Sequence, residues 1–160
     1  MTLCRDTTVH AWSVDTIETG AVRLENRPSL GKQILIVDDS PTIRKMVRAS
    51  LKDLSSAEFI EAATGLEAIE QLAVSRVQII VLDLNMPDMH GIDVLKFVRR
   101  SAQYRTIPIL VLTTRGDEVS RQSAALAGAT TYMTKPFAPQ ALAGAVQDLL
   151  DAPVDAGSPS

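Results

Sequence analysis

The sequence predicts an α/β protein built on a five-stranded parallel sheet that is doubly wound, with helices on both faces. Short apolar runs alternate five times with segments whose apolar residues recur at helical spacing. Three of the five runs contain four consecutive apolar residues (ILIV, IIVL and ILVL), which is typical of parallel strands covered on both sides. Repeated strand–helix units of this kind imply a doubly wound sheet.

The five predicted strands are short and are separated by helical segments. They are ILIV (34–37), EFIEA (58–62), VQIIVL (77–82), IPILVL (107–112) and TTYMT (130–134). The second and fifth contain polar residues, whereas the other three have continuous apolar cores, so strands two and five are the predicted edges. The flavodoxin-like order 2-1-3-4-5 satisfies this assignment.

The intervening helices are predicted from the spacing of their apolar residues. In chain order these residues are Ile43, Met46, Val47, Leu51 and Leu54; then Leu66, Ile69 and Leu72; then Ile92, Leu95 and Val98; and finally Leu142, Ala145, Val146 and Leu149. The segment 117–127 is alanine-rich and more weakly patterned. Ser40 and Pro41 have the residue types of a helix cap and first turn.

Length and composition indicate one cytoplasmic domain. The chain has 160 residues, of which 46% are hydrophobic, and its net charge of −3 argues against a large nucleic-acid surface. A single cysteine, Cys4, cannot form an internal disulfide, and no apolar run approaches the roughly 18 residues of a membrane span. We expect a flexible N-terminal extension (1–31), one domain (32–151) and a disordered Pro/Gly/Ser tail (152–160).

Polar residues of particular types follow four of the predicted strands. Asp38 and Asp39 follow the first, Asp83 the third, Thr113 the fourth and Lys135 the fifth. Because the carboxyl ends of parallel strands share one edge of the sheet, these side chains are predicted to meet there. The acids flank the point between strands one and three where the strand order reverses.

Three carboxylates at one edge repel one another unless a cation neutralises them. Oxygen ligands on a shallow edge suit Mg²⁺, whereas His10 and His90 are isolated and no group has zinc spacing. A lysine and a hydroxyl can hold phosphoryl oxygens, and a carboxylate can act as the nucleophile. The combination predicts phosphoryl transfer, although each residue alone has an ordinary explanation as a cap or loop residue.

The motifs VDDSPTIRK, VLDLNMPDMHG, LVLTT and TKPF together resemble the receiver domain of two-component response regulators. The chain is most similar to the CheY-like, single-domain chemotaxis type, and the resemblance covers about residues 32–150. It implies that Asp83 is the phosphoacceptor. It also implies that Asp38 and Asp39 organise Mg²⁺ together with Asp83 and the main-chain carbonyl of Asn85.

The resemblance assigns three further residues. Thr113 matches the hydroxyl that follows the phosphoryl group, Lys135 matches the lysine that pairs with it, and Tyr132 matches the aromatic that changes rotamer with the switch. The Lys135–Pro136 bond matches one that is cis in this family. Thr114 is bulkier than the alanine or glycine often found there, and we expect it to restrict access to the phosphoryl group.

The resemblance implies a signalling switch that is phosphorylated by a histidine kinase or a histidine phosphotransfer protein. Its partner would bind the surface formed by helix four, strand five and helix five. The signalling output would be chemotaxis or a phosphorelay. Because only a short tail follows the last helix, we expect no DNA-binding output. One alternative is a Mg²⁺-dependent phosphatase of the haloacid dehalogenase type, but the acid that this family has two positions after its nucleophile is missing here. A second alternative is an unphosphorylatable adaptor, which would be expected to have lost one of the acids or the lysine.

Overall fold

The computed structural model describes residues 31–114 and 116–153. Strands and helices alternate throughout this part of the chain. The strands are β1 (Lys32–Val37), β2 (Ala57–Ala62), β3 (Val77–Asp83), β4 (Ile109–Thr113) and β5 (Thr131–Thr134). The helices are α1 (Pro41–Leu51), α2 (Gly65–Val74), α3 (Gly91–Arg100), α4 (Glu118–Ala127) and α5 (Pro139–Asp151). None of these helices is both long and apolar enough to cross a bilayer.

The predicted domain boundaries stay predictions. Of the N-terminal extension (1–31), all but Gly31 lies outside the described residues, as does the predicted tail beyond residue 153. The hydroxyl of Ser40 caps α1 by accepting a hydrogen bond from the backbone N–H of Ile43, and Pro41 occupies the first turn, as predicted.

All five strands form one parallel sheet in the order β2-β1-β3-β4-β5, which confirms the predicted order and both predicted edges. Strands β3 and β4 each extend one residue beyond their predicted ends, so Asp83 and Thr113 belong to the sheet itself. Strand β4 begins two residues later than predicted, because Pro108 has no backbone N–H for a strand ladder.

The side chains of the sheet alternate between two apolar layers, as the period of a strand requires. Leu35, Ile80 and Val111 point to the layer that contains the buried residues of α2, α3 and α4. On the other face, Ile36 and Val81 pack in the layer formed with α1 and α5. Because both faces are covered, the backbone at the carboxyl edge of the sheet is held in place, and the register of the strands determines which side chains meet there.

Candidate functional site: an acidic cluster at the carboxyl edge of the sheet

Asp38, Asp39 and Asp83 converge at the carboxyl edge, with one carboxylate oxygen from each within 4.8 Å of the others. The convergence follows from the register of β1 and β3, in which Val37 pairs with Leu82, so the residues that come next lie side by side. Asp38 and Asp83 are buried, whereas Asp39 is exposed. The three acids therefore lie close together, as the sequence predicts.

Local hydrogen bonds orient the two buried carboxylates. Oδ1 of Asp38 accepts a hydrogen bond from the backbone N–H of Ser40 at 2.9 Å, and Oδ1 of Asp83 accepts one from the N–H of Asn85 at 3.1 Å. Each acid thus binds the main chain two residues further on, a turn that Asp forms readily. These bonds restrain the direction in which each carboxylate points.

Lys135 brings a positive charge to the same cluster. Its Nζ lies 2.7 Å from Oδ2 of Asp38 and 3.4 Å from Oδ1 of Asp83, and its side chain is only 11% exposed. The backbone N–H of Lys135 donates to the carbonyl of Thr113 at 2.8 Å, which ties the end of β5 to the end of β4. The Lys135–Pro136 peptide bond is cis, as predicted.

Burial dominates the electrostatics of Asp83 and raises the pKa of its carboxyl group. The N–H of Asn85 and the charge of Lys135 lower this pKa, and the neighbouring charge of Asp38 raises it. The net direction of the pKa is upward, and burial is its largest cause. A cation at the cluster would lower this pKa, because a nearby positive charge favours the ionised carboxylate.

The residues at this edge fit a magnesium ion. Two buried carboxylates and one exposed carboxylate supply hard oxygen ligands, and the exposed side leaves room for the waters that Mg²⁺ retains. Asp38, Asp39 and Asp83 would hold the ion. The main chain of Asn85 borders the cluster through its bond to Asp83, and the use of its carbonyl as a ligand stays a prediction.

Thr113 ends β4 beside the acids and is 1% exposed. The side-chain amide of Asn85 donates to the hydroxyl of Thr113 and to that of Thr114, both at 3.2 Å. The resemblance of the motifs implied only a main-chain role for Asn85, because nothing in the order of residues specifies where its amide points. The expected restriction of access by Thr114 stays a prediction.

Tyr132 lies on β5, where it pairs with Val111, and Thr113 pairs with Thr134. Since alternate residues of a strand share a face, Tyr132 and Thr113 project to the same side of the sheet. The guanidinium of Arg121 on α4 lies 5.5 Å from the centre of the Tyr132 ring. Burial raises the pKa of Tyr132, as does the charge of nearby Asp117, while Arg121 lowers it.

A cavity of about 420 Å³ opens beside Thr113, between the first turns of α3 and α4. Its walls include Asn85 at the carboxyl edge, Ile92 on α3, and Val119 and Ser123 on α4. The first turn of α4 is therefore not tightly packed against α3. This leaves space for Thr113 and its surroundings to move.

Gly91 begins α3 directly against the end of β3. Its N–H donates to the carbonyl of Leu84 at 3.2 Å. A Cβ atom at this position would collide with the carbonyl oxygen of Asp83 and would lie 2.7 Å from the Cα of Leu84. The absence of a side chain at position 91 thus allows α3 to begin close to the buried acid.

Comparisons with known proteins agree with this fold. Residues 34–147 match the family model described as "Response regulator receiver domain". The chain is 39% identical to "Chemotaxis protein CheY1" of Helicobacter pylori over 111 residues, which cover 69% of this chain and 90% of that protein. It is 36% identical over 119 residues to "Chemotaxis protein CheY homolog" of Campylobacter jejuni, covering 74% of this chain and 92% of the relative.

Among solved structures, the chemotaxis response regulator CheY4 of Vibrio cholerae matches with a TM-score of 0.69 and 39% identity. The match covers 74% of this chain and 98% of that one. The fold and the matches together define a CheY-like domain of the doubly wound class. The chain belongs to the response regulator receiver domain family of two-component signalling, which confirms the resemblance inferred from its motifs.

Proposed function

We propose that this chain is a phosphorylation-operated signalling switch. In this proposal, a histidine kinase or a histidine phosphotransfer protein donates a phosphoryl group to Asp83 in a Mg²⁺-dependent reaction. The modified domain then changes its affinity for a protein target. The observation that carries the proposal is the position of Asp83, which ends a buried strand within 4.8 Å of two further carboxylates and 3.4 Å from Lys135.

The chemistry requires one bond to form and one to break. A carboxylate oxygen of Asp83 attacks phosphorus, the bond from phosphorus to the donor imidazole nitrogen breaks, and an acyl phosphate is left on Asp83. Bound Mg²⁺ would neutralise charge on the carboxylates and on the phosphoryl oxygens. Lys135 would pair with a phosphoryl oxygen. The carboxylate of Asp83 would be held in position because Asp83 is part of β3.

The signal would pass from the phosphoryl group to the surface of α4, β5 and α5. The group adds about −1.5 to −2 charges near pH 7, and the hydroxyl of Thr113 gains a hydrogen bond by moving toward it. Tyr132 shares the face of Thr113 and fills the space that this shift vacates. One such bond is worth roughly 0.5–1.5 kcal/mol, or up to ~3 kcal/mol to a charged group, so a shift between two existing states is expected.

Chemotaxis is the proposed setting, and the similarity to the chemotaxis proteins of H. pylori and C. jejuni supports it. A role as phosphate carrier in a relay is the second candidate. A protein target without direct DNA contact, and action in the cytoplasm, belong to the same proposal. Phosphotransfer profiling against the histidine kinases of the source organism would identify the donor.

We further propose that the protein catalyses only its own phosphorylation and dephosphorylation. The competing hypothesis is an enzyme, a phosphatase of the haloacid dehalogenase type. It predicts steady turnover of p-nitrophenyl phosphate with Mg²⁺. A switch is expected to give none above the buffer rate. Sustained turnover that Asp83→Asn abolishes would favour the enzyme.

The decisive experiment treats the protein with acetyl phosphate and Mg²⁺ and follows its mass. We expect an increase of about 80 Da, the mass of HPO₃, that excess EDTA and Asp83→Asn both abolish. Asp88→Asn is the matched control, because Asp88 is an exposed acid in the loop that follows Asp83. An undiminished adduct on Asp83→Asn would place the acceptor elsewhere and overturn the proposal.

A further inference from the structure

Arg44 on α1 connects the loop that carries the acids to the end of β2. Its Nη1 donates to the main-chain carbonyl of Asp38 at 2.6 Å, and its Nε donates to Oε2 of Glu61 at 2.9 Å. The Arg44 side chain is 16% exposed. One guanidinium thus bridges the main chain of a cluster acid and a carboxylate on a neighbouring strand.

The other polar atoms of Asp38 have partners as well. Its N–H donates to the carbonyl of Ala62 at 3.1 Å, and its carboxylate accepts from Ser40 and Lys135. The N–H of Asp38 therefore donates one hydrogen bond and its carbonyl accepts another, so the peptide groups before and after Asp38 are both held. Because Asp39 follows directly, the path of the chain at Asp38 sets the positions of both acids.

We propose that Arg44 is a positioning residue for cation binding at the acidic cluster, acting through the carbonyl of Asp38. The inference rests on the proposed function insofar as the cation is Mg²⁺. A planar guanidinium has several donors in fixed directions, so it can hold Asp38 and Glu61 at once. The single ammonium of a lysine is a point charge without this geometry, so Arg44→Lys keeps the charge and loses the bridge.

The sign of the effect separates positioning from simple charge. If Arg44 acted only through its positive charge, its removal would reduce repulsion and make the cluster bind a cation more tightly. If Arg44 positions Asp38 and Asp39, its removal weakens cation binding even though a positive charge has been lost. Arg44→Met and Arg44→Lys should then behave alike.

The test measures the affinity for Mg²⁺ by calorimetry. The increase in the urea midpoint with added MgCl₂ gives a second measure of binding, through stability. We expect the Kd for Mg²⁺ to rise by about tenfold in Arg44→Met and in Arg44→Lys, as is typical when a group that supports a metal ligand is removed. Arg48→Met is the matched control. Arg48 also pairs with Glu61, at 2.9 Å from Oε1, and its described contacts do not include Asp38.

Arg48→Met is expected to keep the wild-type Kd within about twofold and to lower stability less than Arg44→Met does, because the Arg48 side chain is 54% exposed. If the wild type binds Mg²⁺ and the two Arg44 variants bind it as tightly or more tightly, the positioning role is overturned and the proposed function stands. If the wild type gains no stability from Mg²⁺ and takes no phosphoryl group, both fall. Should Arg44→Met not fold, Arg44→Lys decides the question.

Discussion

The ammonium of Lys135 lies closer to Asp38, at 2.7 Å, than to the proposed acceptor Asp83, at 3.4 Å. Both carboxylates are almost fully buried, with 3% and 4% of their side chains exposed. Without a metal, Lys135 is therefore the charge that compensates two buried acids. For Lys135 to pair with a phosphoryl group as predicted, its ammonium must move away from Asp38 or contact Asp38 and the phosphoryl group together.

Replacing Lys135 should make the free energy of unfolding depend more strongly on Mg²⁺ than it does in the wild type. Lys135→Met leaves two buried carboxylates uncompensated, and breaking a buried pair of this kind costs about 3–5 kcal/mol. We expect this loss in EDTA and a partial recovery in MgCl₂, measured by urea unfolding. A loss of equal size in both buffers would contradict the compensating role.

A control for this variant is Lys32→Met. Lys32 pairs with Asp151 at 3.6 Å, but the two side chains are 40% and 59% exposed. Exposed pairs contribute about 0–1 kcal/mol, so we expect a small effect that Mg²⁺ does not change.

Asp39→Ala should separate metal binding from folding. Asp39 is the exposed member of the cluster, so we expect a change in stability within about 0.5 kcal/mol. Phosphorylation by acetyl phosphate should fall by at least about tenfold, because a proposed ligand of the metal is removed. Mass spectrometry at several MgCl₂ concentrations measures this, with the exposed Asp53→Ala as control. Unchanged phosphorylation of Asp39→Ala would remove Asp39 from the metal site.

Thr113→Ala should still be phosphorylated and should respond poorly. Its hydroxyl is the group that would move toward the phosphoryl oxygens, and Tyr132 on the same face would follow it. We expect amide NMR shifts of α4 and β5 on adding beryllofluoride to be much smaller than in wild type, and Tyr132→Ala to behave similarly. Full wild-type shifts in both variants would show that the signal takes another route.

Glu61 should stabilise the protein at neutral pH and lose this effect in acid. The hydrogen bond from Arg44 is the largest cause that lowers its pKa, burial opposes it, and Arg48 lowers it further. A carboxyl group with a lowered folded-state pKa stabilises the fold above its unfolded pKa, and this stability disappears as the pH falls through the folded value.

The test compares wild type with Glu61→Gln by urea unfolding across pH. We expect wild type to be more stable by roughly 1 kcal/mol near pH 7, since the pair is partly exposed, and the difference to shrink below about pH 4.5. The exposed Glu70→Gln should differ little from wild type at any pH. A difference that grows toward low pH would have the wrong sign.

The sheet and the meeting of the acids were predictable because they depend on patterns along the chain. Continuous apolar runs before Asp38 and Asp83 indicate central parallel strands, and parallel strands bring their carboxyl ends to one edge. The bridge from Arg44 to Glu61 was not predictable in this way. The two residues are 17 positions apart, each looks like an ordinary surface charge, and their contact depends on how α1 crosses β2.

The closeness of Gly91 to the carbonyl of Asp83 sets a limit on how this sequence can diverge. Any side chain at position 91 must displace either the start of α3 or the end of the strand that carries the acid. In a library of all substitutions, position 91 should therefore tolerate few replacements, although it contributes no functional group to the site. Selection on phosphorylation would then act on a residue that takes no part in the chemistry.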